Sequence, residues 1–457
     1  MSLTQVLEKI DATQDDAMAR LFELLRIPSI STAPERAGDV QRAADWILAD
    51  LESLGATVTK HETPLHPMIT GTVGSGAPHL LFYGHYDVQP VDPLELWHRD
   101  PFDPALEDTP NGPVIRGRGT NDDKGQAMTF LEACRAWIAV NGALPCKISF
   151  IFEGEEEIGS PSLVPFLEAN KDLIKADVAL ICDTSRYDRD TPAITTMLRG
   201  LMGDEFTVKA ANRDLHSGSF GGPSANPLRV ISQILASLHD AEGRVTLPGF
   251  YDGVAELDPE ISAQWEGLGF DGTAFLNSVD LSLPAGESGR SVLEMIWSRP
   301  TLEINGVWGG YNEPGFKTVL PAEAHAKISC RLVGTQDAHK IRAALRARIE
   351  DMLPADCSVE FKSHGSGAAS VMATDSPIFE KARQALSDEW PKPAAFIGAG
   401  GSIPIAGHFK DILGMDSMLI GFGMEDDALH SPNEKYDVMS FHKGIRSWAR
   451  ILDAVTR

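Results

Sequence analysis

Leu80-Leu81-Phe82-Tyr83-Gly84-His85-Tyr86-Asp87 decides the fold. A continuous apolar run bounded by glycine predicts a strand buried on both faces, as in a parallel sheet. It then delivers an imidazole and a carboxylate at its C-terminal end, where open α/β sheets place ligands. His85 and Asp87 are two residues apart on extended backbone and share a face. One can therefore orient the other, as metal-binding histidines require.

The same layout recurs outward from this stretch. Residues 148–152 are apolar and empty into Glu153-Gly154-Glu155-Glu156-Glu157-Ile158-Gly159-Ser160, and 178–182 end at Asp183. Between them, Arg116-Gly117-Arg118-Gly119-Thr120-Asn121-Asp122-Asp123-Lys124-Gly125 opens a helix predicted to reach about residue 140. Strand, acidic turn, helix and strand make βαβ alternation, hence a mixed, mostly parallel sheet with helices on both faces. Upstream, Leu7, Ile10, Met18, Leu21 and Leu25 fall at helical spacing before Pro28, predicting one amphipathic helix. A second helix is expected over 36–54, closed by Gly55, then strands at 57–60 and 68–73. The four prolines of 95–113 predict a surface loop.

After Gly200 the rhythm changes. Strands at 205–210, 301–307, 324–333 and 358–362, with helices at 226–238 and 337–353, give the order β-α-β-β-α-β. This is a split βαβ, ferredoxin-like α+β unit. Residues 240–299 read as an insertion with helical pieces. From about 376 the first pattern resumes: a helix, the loop Gly398-Ala399-Gly400-Gly401-Ser402, a strand at 418–422, His430 and a closing helix at 441–456. The expected organisation is α/β, with domain one formed by 1–200 and 372–457 and an inserted domain by 201–371.

The 457 residues carry a formal net charge of −25, which disfavours nucleic acid and anionic membranes as partners. No apolar run is long enough for a membrane span, and the first residues lack the core of a secretory signal. Five widely spaced cysteines, never in a C-x-x-C pair, fit free thiols in a reducing compartment, so a cytoplasmic location is expected.

His85, Asp122-Asp123, Glu156-Glu157 and Asp183 each follow a predicted strand or open a helix. Imidazole and carboxylate without thiolate suit zinc or a similar divalent ion at a catalytic site. One bridging carboxylate allows two ions about 3.5–4 Å apart, an arrangement that drives amide and phosphate hydrolysis. Adjacent Glu156 and Glu157 diverge, so one can hold metal while the other acts as base. Each piece also has an ordinary explanation: a helix cap for Asp122-Asp123, a solvated turn for 155–157, plain turn chemistry around His430 and His216. The glycine loop at 398–401 lacks the Lys and Ser/Thr of a phosphate loop, and no G-x-S-x-G elbow is present.

G-H-Y-D-V-Q-P, G-R-G-T-N-D-D-K-G, E-G-E-E-E-I-G-S, D-L-H-S-G, K-T-V-L-P, G-G-S-I-P and H-S-P-N-E-K, in this order, resemble the co-catalytic zinc peptidases. That family includes glutamate carboxypeptidase, acetylornithine deacetylase, and the carnosine and cytosolic non-specific dipeptidases, with the dipeptidases nearest. The resemblance implies a dinuclear metallopeptidase with His85, Asp122, Glu157, Asp183 and His430 as metal ligands. Asp122 would bridge two ions through a cis bond to Asp123, with zinc expected and manganese or cobalt as alternatives. It implies Glu156 as general base, Asp87 orienting His85, and His216 reaching across a homodimer to the scissile carbonyl. Thr318 and Arg331 would hold the substrate carboxylate, Gly401 and Ser402 would line the same pocket, and the inserted domain would act as lid and dimer contact. The dipeptidase branch usually has an acidic residue where Ala399 stands, to meet the substrate amine. The substrate is therefore expected to be a small peptide with a free C-terminal carboxylate, with an N-acyl amino acid as the alternative. A silent relative that only binds metal is the third reading.

Overall fold

The computed structural model describes residues 2–401 and 403–457. The chain forms two compact units: residues up to Thr196 with Met372–Ile397 and His408–Arg457, and Met197–Val371 with the described residues of Gly398–Gly407.

The first unit is built on a sheet whose strands lie in the order Thr57–His61, Met68–Val73, Lys147–Glu153, His79–His85, Val178–Ile181, Ser417–Leu419 and Ala193–Leu198. The middle four are parallel and the outer ones antiparallel. Central position explains the run Leu80–Tyr83: every one of these side chains is buried. Helix Lys124–Asn141 packs on the His85 strand and on the closing helix Val438–Val455. Phe130 stacks on Phe82 at 4.2 Å and meets Trp448 edge-on at 5.2 Å. Such contacts add to area burial by about 0.5–1.5 kcal/mol each.

Two sequence expectations change here. The single N-terminal helix is two, Leu3–Ala12 and Gln14–Leu25, broken at Thr13. The Thr13 hydroxyl donates to Lys9 O, a local bond that competes with helix continuation. The proline-rich stretch at 95–113 is not all loop. Ala105–Thr109 and Gly112–Arg116 form a hairpin turning at Pro110-Asn111, and Lys435–Asp437 joins it as a third strand. Proline fits these turn and strand-start positions, where no ladder donor is lost.

The second unit carries an antiparallel sheet ordered Thr301–Gly309, Glu323–Leu332, Gly200–Lys209, Ser358–Gly367. Helices Pro227–Ala236 and Ala338–Asp351 complete the β-α-β-β-α-β unit. Burial alternates residue by residue along Gly200–Lys209, as expected of a sheet with one covered face. Its inner side chains, Phe206 and Val208, share a core with Ile231, Ile234, Ile328, Ile341 and Leu345. Residues 240–299 hold three short helices, tied down by the buried Arg299–Glu287 pair at 2.5 and 3.1 Å. The segment Gly398–Gly407, expected with the first domain, groups with this unit. Trp297 lies so close to Gly398 that a Cβ there would come within 2.5 Å of it.

All five cysteines are free. Among the described residues no helix is long and apolar enough to cross a membrane.

Candidate metal centre

Each side chain of the centre is delivered by a strand end or a tight turn. His85 closes the central strand, fully buried, after a glycine whose Cβ would come within 2.8 Å of the Phe152 ring. Its Nδ1 faces Asp87, at 3.2 Å from the backbone oxygen and 3.4 Å from Oδ1. The Asp87 carboxylate also accepts from the backbone N–H of Glu156 (3.3 Å) and Glu157 (3.1 Å). One buried carboxylate thereby joins the histidine to the acidic turn.

With Nδ1 so engaged, only Nε2 of His85 remains free. It lies 3.1 Å from Asp122 Oδ1 and 3.9 Å from Asp183 Oδ2, buried and in no well-aligned hydrogen bond. Asp122 precedes a cis peptide bond to Asp123. Its other oxygen, Oδ2, is 2.9 Å from His430 Nε2, which is 3.3 Å from Glu157 Oε2. Gln89 Nε2 donates to that same glutamate oxygen at 2.7 Å. Two groups result, His85–Asp122–Asp183 and Asp122–Glu157–His430, in each of which the donor atoms lie within 4.8 Å of one another. Asp122 belongs to both, one oxygen to each.

The electrostatics follow from crowding these groups together. Burial disfavours charge on Asp122, but the two histidines outweigh it and hold the carboxyl below its usual range. Asp122 and Glu157 in turn push His430 up to about 10. Burial opposes protonation of His85, yet the contacts with Asp122 and Asp87 hold its pKa well above the ordinary value. Glu156 contributes no atom to either group. Burial, with the like charges of Glu157, Asp122 and Asp87, pushes it up to about 7.

The remaining acidic residues divide into supporting roles. Asp123 accepts from His85 N at 3.2 Å, and burial pushes it up to about 8. Glu155 is no solvated turn residue: it is buried and accepts from His66 N (2.8 Å), Ser162 N (2.9 Å) and the Thr63 hydroxyl (3.0 Å). Three neighbouring glutamates thus have three different surroundings.

The donor set is imidazole and carboxylate with no thiolate, and an otherwise buried imidazole nitrogen lacks a partner. Both features fit a divalent cation of the zinc, manganese or cobalt type. The clustered negative charge is costly to bury without a cation.

The other expected site residues lie in the second unit. His216 pairs across two short strands with Val319, is exposed, and accepts from Gly218 N at 2.9 Å. Thr318 O accepts from Ser217 N at 3.0 Å, so these two residues come together. Arg331 sits on Glu323–Leu332 opposite Leu201 and Thr301. Gly401 O accepts from Arg199 N at 3.1 Å, while Ser402 lies outside the described residues.

Sequence reasoning missed several supporting groups. Arg199 is one: its guanidinium donates to Gly400 O and Met295 O, both at 3.2 Å. Burial and repulsion from Arg331 push it down to about 10. Glu434, Arg118 and Asp427 are others, all buried. Arg118 and Glu434 fall inside the motifs G-R-G-T-N-D-D-K-G and H-S-P-N-E-K, while Asp427 had only its position near His430 as a signal, because charges otherwise read as surface.

A family model described as peptidase family M20/M25/M40 matches residues 81–454. The Cys-Gly metallodipeptidase of Schizosaccharomyces pombe is 30% identical over 463 residues, covering 98% of this chain and 97% of that protein. The human beta-Ala-His dipeptidase is 30% identical over 474 residues, covering 98% and 91%. Among solved structures, an M20 family metallo-carboxypeptidase from Sulfolobus solfataricus superposes with a TM-score of 0.81 at 27% identity, covering 96% of this chain and 99% of that one.

Proposed function

Because the chain belongs to peptidase family M20/M25/M40, we propose that it is a metal-dependent dipeptidase acting on substrates with a free C-terminal carboxylate. The observation that carries this reading is Asp122, whose two oxygens face His85 with Asp183 on one side and His430 with Glu157 on the other. His85, Asp122 and Asp183 would hold one divalent ion, and Asp122, Glu157 and His430 a second, zinc being the ion the donors suit best. Bound ions supply Lewis acidity at the carbonyl and lower the pKa of water towards neutrality.

The chain's own groups do the rest. Glu156, half-buried among carboxylates that push its pKa upward, can take a proton from water and pass it to the leaving nitrogen. Asp87 fixes the ring orientation of His85 through Nδ1. His216, from a second copy of the chain, would donate to the carbonyl oxygen as charge builds there. Arg331 with Thr318 would grip the C-terminal carboxylate, for which a planar guanidinium is suited, in a pocket lined by Gly401 and Ser402.

The test is metal-stripped protein reloaded separately with zinc, manganese and cobalt, against a panel of dipeptides and N-acetyl amino acids. Activity on dipeptides should vanish with chelator and return with metal. Turnover indifferent to chelator, or no dipeptide cleaved with any ion, would sink the proposal. The second reading, an N-acyl amino acid deacylase, draws on Ala399. The loop around it offers backbone carbonyls and the Arg199 guanidinium, and its described residues include no carboxylate for a free amine. Hydrolysis of the N-acetyl compounds alone would favour it.

A homodimer through the second unit belongs to the same proposal. Thr301–Gly309 is one of the two edge strands of its sheet, and Ile304, Val307 and Trp308 on it are 44%, 46% and 39% exposed. An apolar edge strand of this kind is a pairing surface. Sedimentation should give twice the chain mass, and Val307→Lys should give the monomer with much reduced activity. A wild-type monomer at full activity would remove both the dimer and the trans role of His216. The free cysteines support the further proposal of a cytoplasmic location.

A further inference from the structure

Asp122 can face two histidines only if the backbone beneath it is fixed, and that loop is intrinsically loose. Gly117 and Gly119, with φ of +156° and +79°, flank Arg118 just before it. What fixes it is a carboxylate four residues beyond His430. Glu434 is fully buried; its Oε1 accepts from the backbone N–H of Asn121 (2.9 Å) and Asp122 (3.2 Å). Its Oε2 accepts from Gly119 N (3.1 Å) and from Arg118 Nη1 (2.7 Å). Arg118, also buried, donates to Pro90 O at 2.9 Å and lies 5.4 Å from the Trp97 ring centroid.

A second bond ties the same two segments on the other side of His430. Asn121 Nδ2 donates to Asp427 Oδ2 at 2.8 Å. Between these anchors Ala428, His430 and Asn433 all hold positive φ, at 56°, 58° and 66°, a region that Asn and His enter more readily but that alanine rarely adopts unless its surroundings impose it. The anchors therefore hold both loops, not one.

We propose that Glu434 is a positioning residue of the metal centre: its carboxylate locks the Asp122 backbone to the His430 segment, so that one bridging side chain serves both donor groups. The inference rests on the metal reading above. It goes beyond that reading by assigning control of metal affinity to a residue that offers no atom to either donor group and acts through the Asp122 backbone.

The experiment compares wild type, Glu434→Gln and the double variant Glu434→Gln/Arg118→Met. Zinc stoichiometry and affinity are measured by competition with a chromogenic chelator, beside melting of the metal-free proteins and kinetics at several zinc concentrations. Glu434→Gln should bind zinc about 10–100-fold more weakly, the usual loss when the support of a ligand is removed. Its KM at saturating zinc should stay within about threefold, and added zinc should restore kcat, which a general loss of folding would not allow.

The single variant leaves Arg118 buried without a counter-charge and can unfold for that reason alone. The double variant removes that charge. Persistent weak zinc binding in the double variant supports the positioning role, and recovery of wild-type affinity overturns it. Wild-type affinity in a folded Glu434→Gln also overturns it. A wild-type chain that takes up no zinc at all refutes the metal reading itself, and this inference with it.

Discussion

Glu156→Gln should keep its metal and lose about 100- to 10,000-fold in kcat, the range expected when a general base is removed. The substitution is isosteric and removes only the ability to take a proton. Glu156 supplies no atom to either donor group, and its backbone N–H stays bound to Asp87. Burial, reinforced by the charges of Glu157, Asp122 and Asp87, raises its pKa above the ordinary carboxylate range, which favours a group that carries a proton in one step and releases it in the next. Metal content and kcat must be measured on the same preparation. Full metal with near-normal turnover would assign the base elsewhere.

Asp122→Asn should have the larger effect on the ions themselves. Asp122 is common to both groups, with Oδ1 3.1 Å from His85 and Oδ2 2.9 Å from His430. An amide in its place offers one oxygen and one N–H₂, which cannot ligate. One group is then left with a donor turned away and less negative charge to offset a cation. Bound metal should fall from two ions to one or none, and kcat/KM by at least about 1,000-fold, since a paired-ion centre loses its shared clamp. Two ions retained at wild-type affinity would show that another group bridges.

The parts legible in the sequence are those whose period or chemistry is local. Leu80–Tyr83 reads as a doubly buried strand because it lies in the parallel middle of the sheet, where no side chain meets water. Gly200–Lys209 reads as a strand because its burial alternates. Ser417–Leu419 overlaps the strand expected at 418–422, whereas Lys435–Asp437, three residues long, is too short for any period to register and is placed by long-range pairing. The hairpin over Ala105–Arg116 is hidden by its prolines, and the break at Thr13 by an apolar stripe that continues across it.

At the site, strand ends point to His85, Glu156-Glu157 and Asp183, while periodicity says nothing of His430. Only the resemblance to zinc peptidases joined it to the others in advance. Glu434 and Arg118 lie inside motifs of that resemblance, but their role was hidden for a different reason: a charge looks like surface until its hydrogen-bond partners are known. Glu155 is the same lesson on a smaller scale, a residue of an acidic run that turns out to be wholly internal.

The strand Ser417–Leu419 lies between Val178–Ile181 and Ala193–Leu198, two strands that precede it by more than two hundred positions. During biosynthesis these earlier strands emerge with facing edges and nothing to fill the gap until the late strand leaves the ribosome. The four-stranded sheet of the inserted unit, which pairs only within itself, has by then been made in full. The nascent enzyme therefore keeps an open, adhesive seam in its main sheet for about half of its synthesis, a stage at which unpaired edges invite aggregation and chaperones find their clients.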